Sequence, residues 1–250
     1  MRLALMSDIH GNIQALDACL EHAQQQRAQR FAFLGDLVGY GADPGAVVER
    51  VQQFSAEGAL VLKGNHDEMA VQPPAEVKNV GGSTAAWTHE QLSPAQRNWL
   101  DALPLTAQHD KILLVHASLD GPQLWRYVYD ERAATASLDA AAAWPGVRYV
   151  FGGHVHEQSL YYRGSNAGLM KFTPQPGVAV PVPSHRQWLA TVGSVGQPRD
   201  GKPEAMYALI DTERWQLSFH RVAYDYFAAA WAIRAAGLPD FFADRLEKGR

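Results

Sequence analysis

Asp8 and His10 stand two residues apart, where an apolar run, Arg2 to Ser7, gives way to a loop at Gly11-Asn12. Three later stretches repeat the design of apolar run, glycine and then Asp, Asn or His. They are Phe31 to Leu34 before Gly35-Asp36, Ala59 to Leu62 before Gly64-Asn65-His66-Asp67, and Val147 to Phe151 before Gly152-Gly153-His154-Val155-His156. A further apolar run, Lys111 to Val115, delivers His116. In an extended segment residues i and i+2 face one side, so Asp8 and His10 are expected to converge, with Gly11 letting the chain turn away. Carboxylate, amide and imidazole groups without cysteine suit borderline-to-hard divalent ions and not a closed, sulfur-rich zinc site. Asp8, His10, Asp36, Asn65, His66, His116, His154 and His156 exceed the needs of one ion. A pair of ions about 3.5–4 Å apart that share a bridging carboxylate would use most of them. Taken singly, Asp8, Asp36 and Asn65 are also ordinary turn and cap residues, and His116 an ordinary core histidine. The set, and not any member, points to a metal centre.

The elements that must position these groups follow from periodicity. Arg2 to Ser7, Phe31 to Leu34 and Ala59 to Leu62 read as buried strands. Between them lie helices capped by Asn12, with Ile13, Leu16, Leu20 and Ala23 on one face, and by Asp43, with Pro44 in the first turn and Val47, Val48, Val51 and Phe54 inside. This β-α-β-α-β opening predicts a largely parallel sheet, whose ligands gather beyond the carboxyl ends of the strands. Val71 to Gly82 reads as an irregular excursion, followed by helices over Ser83 to Leu92 and Ser93 to Leu103. After strand Lys111 to Val115, an alanine-rich helix runs from Asp130 to Trp144 and leads to strand Val147 to Phe151. Strands are then expected at Ser159 to Tyr162, Gly168 to Phe172, Trp188 to Val192, Ala205 to Asp211 and Gln216 to Val222, with closing helices over Phe227 to Ala236 and Pro239 to Leu246. Trp125, Tyr127 and Tyr129 alternate by two, which reads as one face of a strand; a base-stacking platform is the alternative.

With 250 residues, 47% hydrophobic and 19% charged, the chain has an ordinary globular composition. No repeat, low-complexity segment or long linker divides it, so a single domain over 1–250 is expected, an α/β first half joined to a β-rich second half. A net charge of -4 and the lack of a Lys/Arg cluster argue against a nucleic-acid backbone as partner. The lone Cys19 rules out an internal disulfide and reads as a small buried residue. No apolar run is long enough for a membrane span. Because the first candidate ligand is Asp8, removal of a leader would remove the site, and a cytoplasmic location is expected. His22, His89, His109, His185 and His220 lie outside the motifs and read as surface or packing residues.

In this order and spacing the motifs resemble those of the calcineurin-like metallophosphoesterases. The five family motifs are matched by Asp8-Ile9-His10, Gly35-Asp36, Gly64-Asn65-His66-Asp67, His116 and Gly153-His154-Val155-His156. The nearer resemblance is to the small bacterial and archaeal phosphodiesterase branch, whose later Gly-Ser-Val-Gly-Gln-Pro-Arg segment is present as Gly193 to Arg199. The resemblance implies an α/β (α+β) four-layer sandwich of two mixed sheets flanked by helices, the metallophosphoesterase fold. It also implies a dinuclear metal-dependent hydrolase of phosphoesters. Asp8, His10 and His156 would hold one ion and Asn65, His116 and His154 the other, with Asp36 bridging. Manganese, iron, zinc, nickel or cobalt fit such ligands, with manganese expected to support activity in vitro.

The expected reaction is in-line attack at phosphorus by a metal-bound hydroxide. By resemblance His66 protonates the leaving oxygen or stabilises the phosphoryl oxygens, and Asp67 is expected to orient its imidazole. Asn12 caps a helix, at a position that also permits substrate contact. Arg199 either pairs on the surface or meets a substrate phosphate in the cleft. Where the protein phosphatases of the superfamily carry a phosphate-gripping arginine after Gly-Asp, this chain has Tyr40, which leans towards diesters because they carry less charge. The expected partner is a phosphoester small molecule or nucleotide, with no membrane, and the sequence assigns no oligomeric state. The alternatives are a phosphomonoesterase or nucleotide phosphatase at the same site, and a non-catalytic scaffold. The scaffold is disfavoured because no expected ligand is missing.

Overall fold

Strands β1 (Arg2–Met6), β2 (Arg30–Phe33) and β3 (Leu60–Val61) pair in parallel, with α1 (Ile13–Gln25) and α2 (Pro44–Ala56) making the crossovers. The computed structural model describes residues 1–77, 80–164 and 168–250. On the other side of β1 the sheet continues antiparallel through β11 (Ala205–Asp211), β12 (Gln216–Val222) and β9 (Ala179–Pro181). A second six-stranded sheet has the order β4 (Thr106–His109), β5 (Ile112–Val115), β6 (Tyr149–Gly152), β10 (Gln187–Val192), β7 (Gln158–Arg163) and β8 (Leu169–Phe172). It is mixed as well, with β5, β6 and β10 parallel and the other pairings antiparallel.

Strand side chains alternate between faces, and this divides the apolar residues into layers. Leu3, Leu5, Tyr149, Phe151, Ala208 and Phe219 fill the space between the two sheets. The opposite face of the first sheet, with Met6, Phe33 and Tyr207, packs against Leu16, Cys19 and Leu20 of α1 and Val47, Val48 and Val51 of α2. The outer face of the second, with Leu113, Val115 and Val150, is covered by Ala134 and Leu138 of α6 (Glu131–Ala140). The result is the expected four-layer sandwich of two mixed sheets between helices. A hairpin of α7 (Tyr226–Ala235) and α8 (Asp240–Lys248) closes the chain and packs on Tyr40 through Phe242.

Several local expectations need correction. Trp125, Tyr127 and Tyr129 do not lie on a strand: Trp125 ends a short 3-10 turn (Pro122–Leu124) with φ 50°, and the loop after it is irregular. Edge strands β4 and β9 escaped the pattern because one is polar and half-exposed and the other ends in proline. The expected helix over Ser83 to Leu92 begins as a 3-10 turn (Val80–Thr84) before α4 (Ala85–Gln91). Asp43 occupies the cap position of α2, but its side chain makes no capping bond and accepts instead from Gln14 at 3.5 Å. Within the Val71 to Gly82 excursion, residues 78 and 79 lie outside the described residues.

Candidate metal centre

The loops that leave the strand ends are held to one another by their backbones. Asp8 N–H donates to Gly35 C=O at 3.0 Å, His10 N–H to Asp36 C=O at 3.0 Å, and Gly11 N–H to Leu37 C=O at 2.9 Å. Val195 N–H donates to Ser7 C=O and Gly196 N–H to Asp8 C=O, each at 2.9 Å, so the Gly193 to Arg199 segment lies along the first loop. Asp8 and His10 converge, but not through an extended strand: β1 ends at Met6, and both residues adopt φ near +50° (54° and 50°). Asp36, His154 and His156 share this left-handed backbone, at 52°, 69° and 60°. Such conformations cost of order 1–3 kcal/mol each, and here they turn five side chains inward.

Those side chains form two clusters. In the first, His10 Nε2 lies 3.1 Å from His156 Nε2, and Asp8 Oδ1 lies 3.3 Å from His156 Nε2 and 3.8 Å from His10 Nε2. In the second, His116 Nε2 lies 3.2 Å from both Asn65 Oδ1 and His154 Nδ1. Asp36 Oδ2 stands between them, 3.7 Å from His10 Nε2 and 3.4 Å from His116 Nε2, while its Oδ1 accepts the His66 backbone N–H at 2.8 Å. Apart from Asn65, which is half-buried, all of these residues are buried.

The proton inventory shows what the clusters lack. A carbonyl only accepts, so the bonds of His10 Nδ1 to Val38 C=O (3.2 Å), His156 Nδ1 to Gln197 C=O (2.6 Å) and His116 Nδ1 to Leu34 C=O (2.8 Å) place the proton on Nδ1. Nε2 of His10 and of His156 then aims a lone pair inward at other acceptors, and Nε2 of His116 faces Asn65, His154 and Asp36. Asp8 Oδ1, buried, has no hydrogen-bond partner, while Oδ2 accepts from His154 N–H at 2.8 Å. Buried acceptors facing acceptors are unfavourable unless a cation lies among them. The donor set therefore fits divalent metal, with Asp8, His10 and His156 in one group of candidate ligands, Asp36, His116 and His154 in another and His10, Asp36 and His66 in a third, the imidazoles of His10, His116 and His156 oriented through their far nitrogens.

The electrostatics agree. Burial raises both carboxyls, but at Asp8 the His156 ring, and at Asp36 the His116 and His66 rings, outweigh it and hold them below the ordinary range. Burial lowers His116, yet the charge and hydrogen bond of Asp36 lift it to about 9, so a proton there stands in for a cation. Burial depresses His66 and His154 to about 4, which leaves both neutral at pH 7.

One sequence expectation fails here. Asp67 does not orient the His66 imidazole: its Oδ1 accepts Leu37 N–H at 2.9 Å and Val38 N–H at 3.2 Å, and its Oδ2 accepts Gly64 N–H at 2.8 Å. It braces the loop after β2 against the start of α3 (Asn65–Val71). Burial and the Asp36 charge push its carboxyl up to about 7, against the pull of those amides. Asn12 caps α1 as expected, accepting from Ala15 N–H at 3.0 Å, and its amide donates to Gly196 C=O at 2.9 Å and Tyr224 at 3.2 Å.

A cleft of about 590 Å³ opens over the clusters, with Tyr40, His66, Trp125, Tyr127, Arg199 and Arg245 in its walls. Arg199 thus lies in the cleft and not in a surface turn. Tyr127 stacks on His154 with ring centroids 4.0 Å apart, and Trp125 Nε1–H donates to Glu68 at 3.0 Å. Sequence reasoning missed Arg245, on a C-terminal helix with no motif, and Gln197, whose only signal was its place in Gly193 to Arg199. Cys19 is buried, as expected.

Residues 1–214 match the model of the calcineurin-like phosphoesterase superfamily domain. The structure superposes on a metallophosphoesterase from Sphaerobacter thermophilus with a TM-score of 0.87 and 33% identity, covering 100% of this chain and 99% of that one. A hypothetical protein from Pyrococcus horikoshii OT3 shares the fold with a TM-score of 0.79 at 19% identity, over 100% of this chain and 98% of that one. An uncharacterised protein of Methanocaldococcus jannaschii is 28% identical over 254 residues, 99% of this chain and 98% of its own length. Among the described residues no helix is long and apolar enough to cross a membrane. With the metal-ligand clusters at its strand ends, this chain belongs to the calcineurin-like phosphoesterase superfamily.

Proposed function

We propose that the chain is a dinuclear metal-dependent phosphodiesterase acting on a small phosphoester in the cytoplasm. The observation that carries this reading is the position of Asp36 Oδ2 between two inward-facing sets of acceptors, 3.7 Å from one imidazole and 3.4 Å from another. Two divalent ions there supply Lewis acidity at the phosphoryl oxygens and an activated water. Manganese is the ion we expect to support turnover.

The chain's own groups do the rest. His10, His116 and His156 keep their protons on Nδ1, towards backbone carbonyls, so their inner nitrogens stay free as ligands. His66 lines the cleft beside the ligands, edge-on to the His10 ring at 4.9 Å. Its pKa of about 4 makes it a neutral N–H donor at pH 7. Cations beside it would lower that value further, so it serves as a donor to the phosphoryl or leaving oxygen, and less as a charged acid. Tyr40 packs against both His10 and His66, with ring centroids 4.4 and 4.3 Å away. Tyr40 takes the sequence position after Gly35-Asp36 at which the protein phosphatases of the superfamily carry a guanidinium, and this supports the less charged diester.

The test compares turnover of bis(p-nitrophenyl) phosphate and p-nitrophenyl phosphate by chelator-stripped protein reloaded with manganese. Faster diester turnover, lost in Asp36→Ala and strongly reduced in His66→Ala, is the expected outcome. Preference for the monoester would overturn the diester reading, and full turnover by His66→Ala would remove His66 from the reaction.

A further inference from the structure

Arg199 and Arg245 meet in the wall of the cleft from distant parts of the chain, the first at the end of the Gly193 to Arg199 segment and the second on α8. Both give donors to one atom, Gln197 Oε1, and Arg199 also reaches the Tyr40 hydroxyl. Arg199 Nη2 and Nε reach Gln197 Oε1 at 2.9 and 3.3 Å, and Arg245 Nη1 reaches it at 3.2 Å. Among the described residues neither guanidinium has a carboxylate within ion-pair distance. Arg234, on the same helical hairpin, is satisfied quite differently, by Asp240, Asp244 and Glu247. Among the described residues the partners of these two half-buried forks are neutral, one amide oxygen and one phenol hydroxyl, so their charge is unmatched and several N–H donors remain. Burial and the Arg199 charge both press on Arg245 and lower its pKa. Like charges are kept this close where an anion is to come between them.

The pair is placed apart from the ligands. Tyr40 touches both sides, its ring 5.9 Å from the Arg199 guanidinium and 4.4 Å from the His10 ring. Arg245 is held from the other side, 4.5 Å over the ring of Phe241. An anion gripped by both arginines would share one cleft with the scissile phosphate, since Asn65, His66 and His154 line it as well. Contact of Tyr40 with both sides leaves a span that two phosphates joined through a sugar can cover.

We infer that Arg199 and Arg245 form a second anion site, which holds a non-scissile phosphate one sugar away from the diester that is cut. The substrate class is then a short nucleotide diester with a terminal phosphate, of which a 5′-phosphorylated dinucleotide is the simplest member. This rests on the phosphodiesterase reading, and the test keeps the two apart.

Chelator-stripped protein is titrated calorimetrically with a 5′-phosphorylated diadenosine dinucleotide and with its 5′-hydroxyl analogue, and the manganese-loaded protein is assayed for cleavage of both. We expect the terminal phosphate to improve binding by the wild type about tenfold, the scale of a charge-assisted contact. Arg245→Gln and, independently, Arg199→Gln should each erase most of that preference, with unchanged thermal unfolding as the check on folding. In turnover the same variants should raise KM for the phosphorylated dinucleotide more than for the analogue. Equal binding of the two dinucleotides by the wild type, including no measurable binding of either, would overturn the inference. So would an equal loss on both ligands in Arg245→Gln, because the guanidinium would then be gripping the scissile phosphate. A retained preference in binding without cleavage of either ligand would leave the anion site standing and contradict the phosphodiesterase reading instead.

Discussion

Replacing Asp67 by Asn separates bracing from catalysis. The carboxylate takes three backbone N–H groups, two on Oδ1 and one on Oδ2. An asparagine of the same shape keeps its oxygen on Leu37 and Val38 and turns its NH2 towards Gly64 N–H. One buried donor then loses its acceptor and faces another donor, which costs about 1–3 kcal/mol. Relief of repulsion with Asp36 offsets part of this, so we take about 2 kcal/mol, and a melting temperature lower by roughly 4–8 °C for a chain of this size. The braced loop carries Asp36 and the Val38 carbonyl that fixes His10, so manganese affinity should fall together with stability. Scanning calorimetry and metal titration of Asp67→Asn read both quantities. Full stability and full metal affinity with lost turnover would refute the brace and return Asp67 to the role of orienting His66.

The glycines beside the ligands should be intolerant. A Cβ on Gly153 would run into Ser7 Oγ and Asp8 Oδ2, so Gly153→Ala should displace the first ligand and lower metal affinity by at least tenfold, read by metal titration; wild-type affinity would contradict the packing described. His220 supplies a pH dependence remote from the metals. Burial and then the nearby His22 lower its pKa to about 4, and it stacks on Tyr207 at 4.8 Å. A base kept neutral by folding takes its proton more readily when unfolded, so its contribution is complete above about pH 6.5 and is lost as the pH falls towards 4. After discounting for solvent, this amounts to about 2 kcal/mol. His220→Phe keeps the stack, and its melting temperature should fall less than that of the wild type between pH 7 and 4.5; parallel declines would refute the assignment.

Much of the site was legible because it is written at strand ends. Apolar runs that stop at Asp8, Asp36, Asn65, His116 and His154 mark places where a parallel sheet must deliver its side chains, whatever the loops do afterwards. The loops themselves were not legible. Convergence of Asp8 and His10 was expected from strand alternation, yet it comes from left-handed backbone at both residues, held by hydrogen bonds to the loop after β2. Asp67 looked like an orienting group for His66 because side-chain type says nothing of which backbone amides lie opposite. Arg245 carried no signal because its meaning depends on packing of the last helix beside Gln197, a contact across 48 residues. The aromatic triplet at Trp125 to Tyr129 misled for a related reason: period-two spacing marks a strand only where the backbone is extended, and Trp125 is not.

The measurement closest to the central claim is the rate of bis(p-nitrophenyl) phosphate hydrolysis as manganese is added stepwise to the stripped protein. The account predicts that turnover rises until two equivalents per chain are bound, and that Asp36→Ala, which removes the shared ligand, shows neither the second equivalent nor the activity. Full turnover at one equivalent, or two ions bound by Asp36→Ala with activity intact, would contradict it.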